Sequence, residues 1–264
     1  MYSEQTIDDR GTGAPLVLLH SSMSNKSQWG KLSEQLNSRY RVIAIDLYGY
    51  GKSMFPDSPE QFSLADEATR IARVMRQRLD NEPCHLIGHS YGGATALRLA
   101  HAHPSHIMTL GLYEPVAFHL LDRDEPAYRI MRQVAERLGQ HLAAGDIAAA
   151  TAHFIDFWSG PGTYQALPSE RRRMLERYIP KVALDFKALF GDTLNVEDYR
   201  SLAMPVCLLG SRESPLPTRR VAELLQHTLP RLEAHWVSGG HMAPITNADT
   251  VNPYWIDFLG RQHE

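Results

Sequence analysis

Short continuous apolar runs alternate along the chain with segments whose apolar residues recur at helical spacing. Pro15–His20 (Pro-Leu-Val-Leu-Leu-His) and Arg41–Asp46 (Arg-Val-Ile-Ala-Ile-Asp) are apolar almost throughout and too short for helices. Runs of this kind suit parallel strands buried on both faces. Cys84–Ile87, Ile107–Tyr113, Pro205–Leu209 and Ala234–Val237 continue the series. Between them, Leu64, Ala68, Ile71, Val74, Met75 and Leu79 fall on one helical face behind Ser63, a cap with Asp66 or Glu67 in the first turn. Trp29, Leu32 and Leu36 predict a shorter helix, Ala94–Ala102 a buried one, and Arg219–Thr228 another. Asn247–Leu259 predicts a closing helix bent near Pro253. Ser3–Asp9 alternates loosely, as an edge strand would, before the turn-like Arg10-Gly11-Thr12-Gly13. Strand and helix in alternation imply right-handed crossovers and a mainly parallel central sheet with helices on both faces.

The rhythm changes after Glu114. From Pro115 to about Leu202 helical spacing dominates and no strand is clear. Ala127, Ile130, Met131, Val134 and Leu138 form one helix face. Asp146 can cap a second helix running towards Trp158, broken by Gly160-Pro161-Gly162. Ser169 can cap a third, with Met174, Leu175 and Tyr178 inward and Pro180 beyond. Glu170-Arg171-Arg172-Arg173 is expected to be a solvated helix face. Residues 1–114 and 203–264 therefore read as one α/β core, interrupted by a helical insertion over 115–202.

Composition adds limits. The 264 residues fit one large α/β domain with an inserted part, and 43% hydrophobic residues suffice for its core. Lys and Arg number 27 against 30 Asp and Glu, a net charge of -3 that gives no reason to expect a nucleic-acid partner. Cys84 and Cys207 sit in apolar runs and read as buried thiols, not a disulfide. The first ten residues lack an apolar signal core and no stretch is long enough to span a membrane, so a cytoplasmic protein is expected. No phosphate loop, His-Glu-x-x-His cluster or zinc-type cysteine set occurs, so neither a cofactor nor a metal is expected. Oligomeric state is left open between monomer and homodimer.

Leu86-Ile87-Gly88-His89-Ser90-Tyr91-Gly92-Gly93 reads as strand, Gly-x-Ser-x-Gly, helix. That places Ser90 on a tight corner flanked by glycines, at a helix N-terminus that favours developing negative charge. A serine hydroxyl needs a base and oxyanion donors to act as a nucleophile. Of thirteen histidines, His241 is the strongest candidate, presented late in the chain by Ser238-Gly239-Gly240-His241.

With these motifs the sequence resembles the α/β-hydrolase fold family over nearly its whole length, and within it the cap-bearing serine hydrolases. Asp46-Leu47-Tyr48-Gly49-Tyr50-Gly51-Lys52-Ser53 resembles that family's Asp-x-x-Gly-x-Gly-x-Ser loop, a fold-supporting turn. The resemblance implies the chain order Ser, acid, His, and makes residues 115–202 the cap over the active site. It implies oxyanion donation from the N–H groups of Tyr91 and Ser22. There the family's His-Gly is replaced by His20-Ser21, which alters the loop's backbone freedom. His20 is expected to be a structural ligand of that loop, and His89 to point away from the site. The acid is Glu114, at the end of a buried strand, or alternatively Glu213, which fits Gly-x-x-acid after the next strand. A count from Pro205 and Pro215 puts Ser214 in that place instead. Among the insertion's aromatics, Trp158 and Phe186 are candidate lining for a partly apolar small-molecule pocket. The expected activity is cofactor-independent cleavage of a small ester, thioester or related carbonyl compound. The alternatives are carbon–carbon bond hydrolysis or lyase chemistry on the same fold, and a non-catalytic ligand sensor.

Overall fold

The computed structural model describes residues 4–262. The apolar runs form a seven-stranded sheet in the order β1-β3-β2-β4-β5-β6-β7. Its strands are β1 (Ile7–Arg10), β2 (Ala14–Leu19), β3 (Tyr40–Ile45), β4 (Cys84–His89), β5 (Ile107–Tyr113), β6 (Val206–Gly210) and β7 (Leu232–Trp236). β1 pairs antiparallel with β3, and every other pairing is parallel. Ser3, part of the expected edge strand, lies outside the described residues, and Glu4–Thr6 is a 3₁₀ turn rather than strand.

Period-two alternation divides the strands between two cores. Val17, Leu19, Ile43, Ile45, Leu86, Leu110 and Leu112 face α2 (Leu64–Leu79), α3 (Tyr91–Ala102) and α9 (Leu216–Thr228). Leu16, Leu18, Val42, Ile87 and Tyr113 face α1 (Gly30–Leu36) and α11 (Ala248–Gly260), which buries Trp255 despite Pro253 inside it. The Ser63 cap forms as a full capping box with Asp66. Asp46 accepts from the Lys26 and Lys52 N–H groups at 2.7 and 2.9 Å, which fixes the glycine loop behind β3.

Among the described residues, those between β5 and β6 contain helices but no strand: α4 (Pro126–Ala143), α5 (Ile147–Ser159), α6 (Thr163–Ala166), α7 (Ser169–Glu176) and α8 (Ile179–Gly191), with short 3₁₀ turns at either end. Asp146 caps α5 through the Ala149 N–H at 2.9 Å. Ser169 does not cap α7. Pro168 holds the cap position, and Ser169 is the first helical residue with no side-chain cap. Pro180 does not end a helix but opens α8, because its missing N–H costs nothing in a first turn. Another short helix, α10 (Ala243–Thr246), precedes α11. No helix of the described residues is long and apolar enough to cross a membrane.

At the strand-to-helix corner, contact distance decides the residue type. A Cβ on Gly92 would strike the Leu19 and His20 carbonyl oxygens, and one on Gly88 the Gly92 backbone. Gly139, exposed in α4, has open space around it. Gly92→Ala is expected to lower unfolding free energy by about 3 kcal/mol, the upper end of overpacking costs. Gly139→Ala should raise it by about 0.5–1 kcal/mol through helix propensity. Urea titration of both variants checks the contrast; equal effects would remove the packing argument.

Candidate active site

Loops at the C-terminal ends of the parallel strands converge, as ligand sites do in such sheets. β2 leads to His20–Ser22, β4 to Ser90, β5 to Glu114, β6 to Ser211 and β7 to the loop that carries His241. Ser90 takes φ 56° and ψ −118° at the cap position of α3. A non-glycine residue in that region costs on the order of 1–3 kcal/mol and persists only when its surroundings hold it. They do: the Ser90 N–H donates to Tyr113 O at 3.0 Å, and the Ser90 carbonyl accepts from Ala94 and Val116 N–H groups at 2.9 and 3.3 Å.

The Ser90 hydroxyl donates to His241 Nε2 at 2.9 Å, and His241 Nδ1 donates to Glu114 Oε2 at 2.7 Å. A carboxylate only accepts, so the proton sits on Nδ1 and Nε2 is left to accept from serine. The other Glu114 oxygen accepts from the Ser211 N–H at 2.7 Å. All three side chains are buried. Glu213 lies elsewhere. It is exposed, and its Oε2 accepts from the Gly239 N–H at 3.1 Å, bracing the loop that carries His241. Ser214 is buried, and its hydroxyl has no partner among the described residues.

Two further histidines hold this arrangement. His20 donates from Nδ1 to Ser21 O at 2.7 Å and accepts at Nε2 from the Leu47 N–H at 2.9 Å. Burial lowers its pKa to about 4, so it stays neutral and keeps that accepting nitrogen. The sequence places His89 away from the site; in the structure it faces His241. Its Nε2 donates to the His241 carbonyl at 2.8 Å, and its Nδ1 accepts from Gln28 Nε2 at 3.1 Å. Burial and the neighbouring His241 push the His89 pKa well down, so it is a neutral strut. Gln28 Oε1 in turn accepts from both the N–H and hydroxyl of Ser21, at 3.1 and 3.0 Å. Nothing in the polar loop around Gln28 marks it in the sequence.

Tyr91 is the first residue of α3, where an N–H has no partner within the helix. Ser22 lies in the loop after β2 and borders the same spaces as Ser90. In this loop the left-handed conformation falls on Met23, at φ 59°. The Ser22 hydroxyl donates to Asp185 of α8 at 2.6 Å, a contact whose sequence signal is two charges, Lys181 and Asp185, on the apolar stripe of Val182, Phe186 and Leu189.

Ser90 opens on two spaces. A cavity of about 20 Å³ is bounded by Ser22, Phe118, Asp185, Phe186 and Leu189. A cleft of about 670 Å³ is bounded by Gln28, Leu167, Met174, His241 and Met242, with Lys31 and Arg171 at its edge. Trp158 borders both, and its indole stacks on the His241 ring at 4.1 Å between centroids and 29° between planes. Phe186 borders only the smaller space.

Away from this site, Cys207, Glu233 and His235 bring possible metal-ligating atoms within 4.8 Å of one another. Arg261 already engages Glu233 at 2.5 Å, and burial raises the Cys207 pKa, which opposes thiolate formation.

Comparison with known proteins agrees with this architecture. A family model described as alpha/beta hydrolase fold matches residues 14–248. The probable lysophospholipase BODYGUARD 2 of Arabidopsis thaliana is 30% identical over 139 residues, 51% of this chain and 29% of that protein. The pimeloyl-[acyl-carrier protein] methyl ester esterase of Aeromonas hydrophila is 37% identical over 105 residues, 40% of this chain and 39% of the esterase. The chain thus spans well under half the length of either relative. The crystal structure of a hydrolase from Pseudomonas aeruginosa PA01 superposes with a TM-score of 0.80 at 22% identity, covering 96% of this chain and 93% of that one, a likeness of fold. By the extent of the family match and the topology together, this chain belongs to the alpha/beta hydrolase fold family.

Proposed function

We propose that the protein is a cofactor-independent serine hydrolase of esterase type, working through Ser90, His241 and Glu114. The observation that carries this reading is the buried hydrogen-bond chain from Ser90 Oγ through His241 to Glu114. Ser90 Oγ attacks the substrate carbonyl carbon while its proton passes to His241 Nε2. The carbonyl electron pair becomes an oxyanion, held by the Tyr91 and Ser22 N–H groups. When the tetrahedral species collapses, the bond to the leaving group breaks and His241 returns the proton to that group. Water then attacks the acyl-serine, gives its proton to His241, and the acid departs as Ser90 is reprotonated. Glu114 stays ionised throughout and stabilises the imidazolium. The esterase and lysophospholipase relatives support an ester-type substrate class.

The two spaces beside Ser90 refine that class. His241 must protonate the leaving group, so the leaving group lies on the His241 side, in the cleft of about 670 Å³. The acyl group is left with the cavity of about 20 Å³, walled by Phe118, Phe186 and Leu189. A space of roughly that size admits one group the size of a water molecule, so the preferred acyl chain is very short. Residues 115–202 act as the cap that walls both spaces. The free, buried Cys84 and Cys207 suit a reducing compartment, and we place the protein in the cytoplasm.

Intact mass after treatment with a reactive fluorophosphonate should show one adduct per chain, lost in Ser90→Ala and His241→Ala. A folded wild-type protein that takes no adduct would overturn the hydrolase reading.

Glu114→Gln should lower kcat by about 10³–10⁴, because the amide no longer enforces the imidazole tautomer or stabilises its charged form. Glu213→Gln should stay within about threefold, its carboxylate being exposed and bonded, among the described residues, to the Gly239 N–H. Steady-state kinetics on the pair discriminate, and the reverse ranking would make Glu213 the acid.

With a fixed aryl leaving group, acetyl should be the best acyl chain, and Phe186→Leu should move the optimum one or two carbons longer. An unchanged chain-length profile in that variant would reject the cavity assignment.

A further inference from the structure

Helix α8 carries two charged side chains into the interior. Lys181 and Asp185 are both buried, and they form an ion pair with each other. Lys181 also lies 3.6 Å from Glu67 of α2, and Glu67 lies 3.7 Å from Arg70, so four buried ionic groups meet beside the Ser90 site. The Lys181 ammonium faces the Tyr50, Phe62 and Tyr91 rings at 5.0, 4.7 and 4.6 Å. Buried ion pairs are weak sources of stability, because desolvation offsets much of their attraction. Apolar residues at 181 and 185 would continue the stripe of Val182, Phe186 and Leu189 at no such cost.

The polar cluster reaches both residues assigned to the oxyanion site. Asp185 Oδ2 accepts from the Ser22 hydroxyl at 2.6 Å and from the Tyr50 hydroxyl at 2.5 Å, while Oδ1 takes Lys181. Both of its oxygens are thus engaged within the protein. On the other side, Glu67 Oε2 accepts from the Tyr91 hydroxyl at 3.3 Å, and Oε1 accepts from the Tyr48 N–H at 3.0 Å. Met23, next to Ser22, sits at φ 59°, which a non-glycine residue does not adopt unaided. Gln28 holds this loop at Ser21, and Asp185 adds a second anchor at Ser22 from an element far away in sequence.

We propose that Asp185 is a positioning residue: by accepting the Ser22 hydroxyl it fixes the loop that presents the Ser22 N–H to the oxyanion, so that α8 of the cap sets the geometry of the oxyanion site. This rests on the serine-hydrolase reading above. The contact acts on the transition state, because the oxyanion forms only there; Ser22 and Asp185 also border the smaller cavity, so boronate affinity and loop exchange are read beside KM to separate positioning from a change of wall.

The test uses Ser22→Ala, which keeps the backbone N–H and removes only the tether, and Asp185→Asn, which keeps shape and removes the charge. Kinetics with a short ester, inhibition by an alkyl boronic acid, and amide hydrogen exchange of a peptide covering residues 20–27 are measured for wild type, both single variants and the double variant. Expected are a loss in kcat of about tenfold to a hundredfold with KM within twofold, and a parallel loss of boronate affinity. The double variant should fall short of the sum of the two single losses, since both changes act on the Ser22–Asp185 bond. Exchange over residues 20–27 should speed up in each variant. Unchanged exchange in folded Ser22→Ala overturns the proposal. So does unchanged kcat, or a loss confined to KM. An additive double variant assigns Asp185 to general stability and also overturns it. A wild type that is inert to the ester and to the fluorophosphonate rejects the hydrolase reading instead, and the exchange result alone then decides whether Asp185 anchors the loop.

Discussion

A buried carboxylate has to be satisfied where it stands, and the arrangement of loops above the sheet follows from meeting that demand at Glu114. It follows directly on β5, almost wholly out of water, with φ at 41°. An unpaired carboxylate there would cost several kcal/mol. Its two oxygens are taken by groups from two other strand ends: the Ser211 N–H after β6 and the His241 imidazole after β7. Satisfying one charge thus fixes the spacing of three loops. The tautomer that Glu114 imposes on His241 leaves the other ring nitrogen facing Ser90.

The remaining loops are joined by neutral groups. His89 bonds the His241 carbonyl and Gln28, and Gln28 bonds Ser21. Histidine serves here because one ring nitrogen donates while the other accepts, which lets a buried side chain bridge an acceptor and a donor without carrying charge. Burial keeps it in that form, and a second positive ring 5.2 Å from His241 would oppose the imidazolium. The loop after β2 and the loop after β7 are therefore held at one distance by a rigid pair of side chains. Trp158 stacks on the His241 ring as well, so that an indole and an imidazole both flank it.

What the sequence discloses is set by how local each cause is. The strands are legible because burial on both faces demands continuous apolar runs, and the Ser90 corner is legible because close backbone contact demands glycine at 88 and 92. The capping box at Ser63 and the cap at Asp146 are local hydrogen bonds and can be read directly. Ser169 shows the limit of that reading: a capping side chain is ignored when the preceding Pro168 already sets the extended backbone at the helix start. Gln28, His89 and Asp185 are illegible because their partners lie 61, 152 and 163 residues away. Only at α8 does the pattern itself give a hint, in two charges placed on an apolar stripe.

That hint bears on how the insertion relates to the core. If residues 115–202 did no more than cover a cavity, their contacts with the core would be apolar and could slide, as packed helices do. Asp185 and Lys181 instead enter the core as charged groups whose partners are spent on one geometry. An ion pair held among Tyr50, Tyr91 and Glu67 has few acceptable positions, because each displaced group would be left buried and unsatisfied. The polar cluster therefore makes α8 continuous with the core, while the aromatic helix α5, which borders the wider cleft, meets the site through the Trp158 stack on His241. The part of the smaller space's wall that α8 supplies, Phe186 and Leu189, is thereby tied to the core.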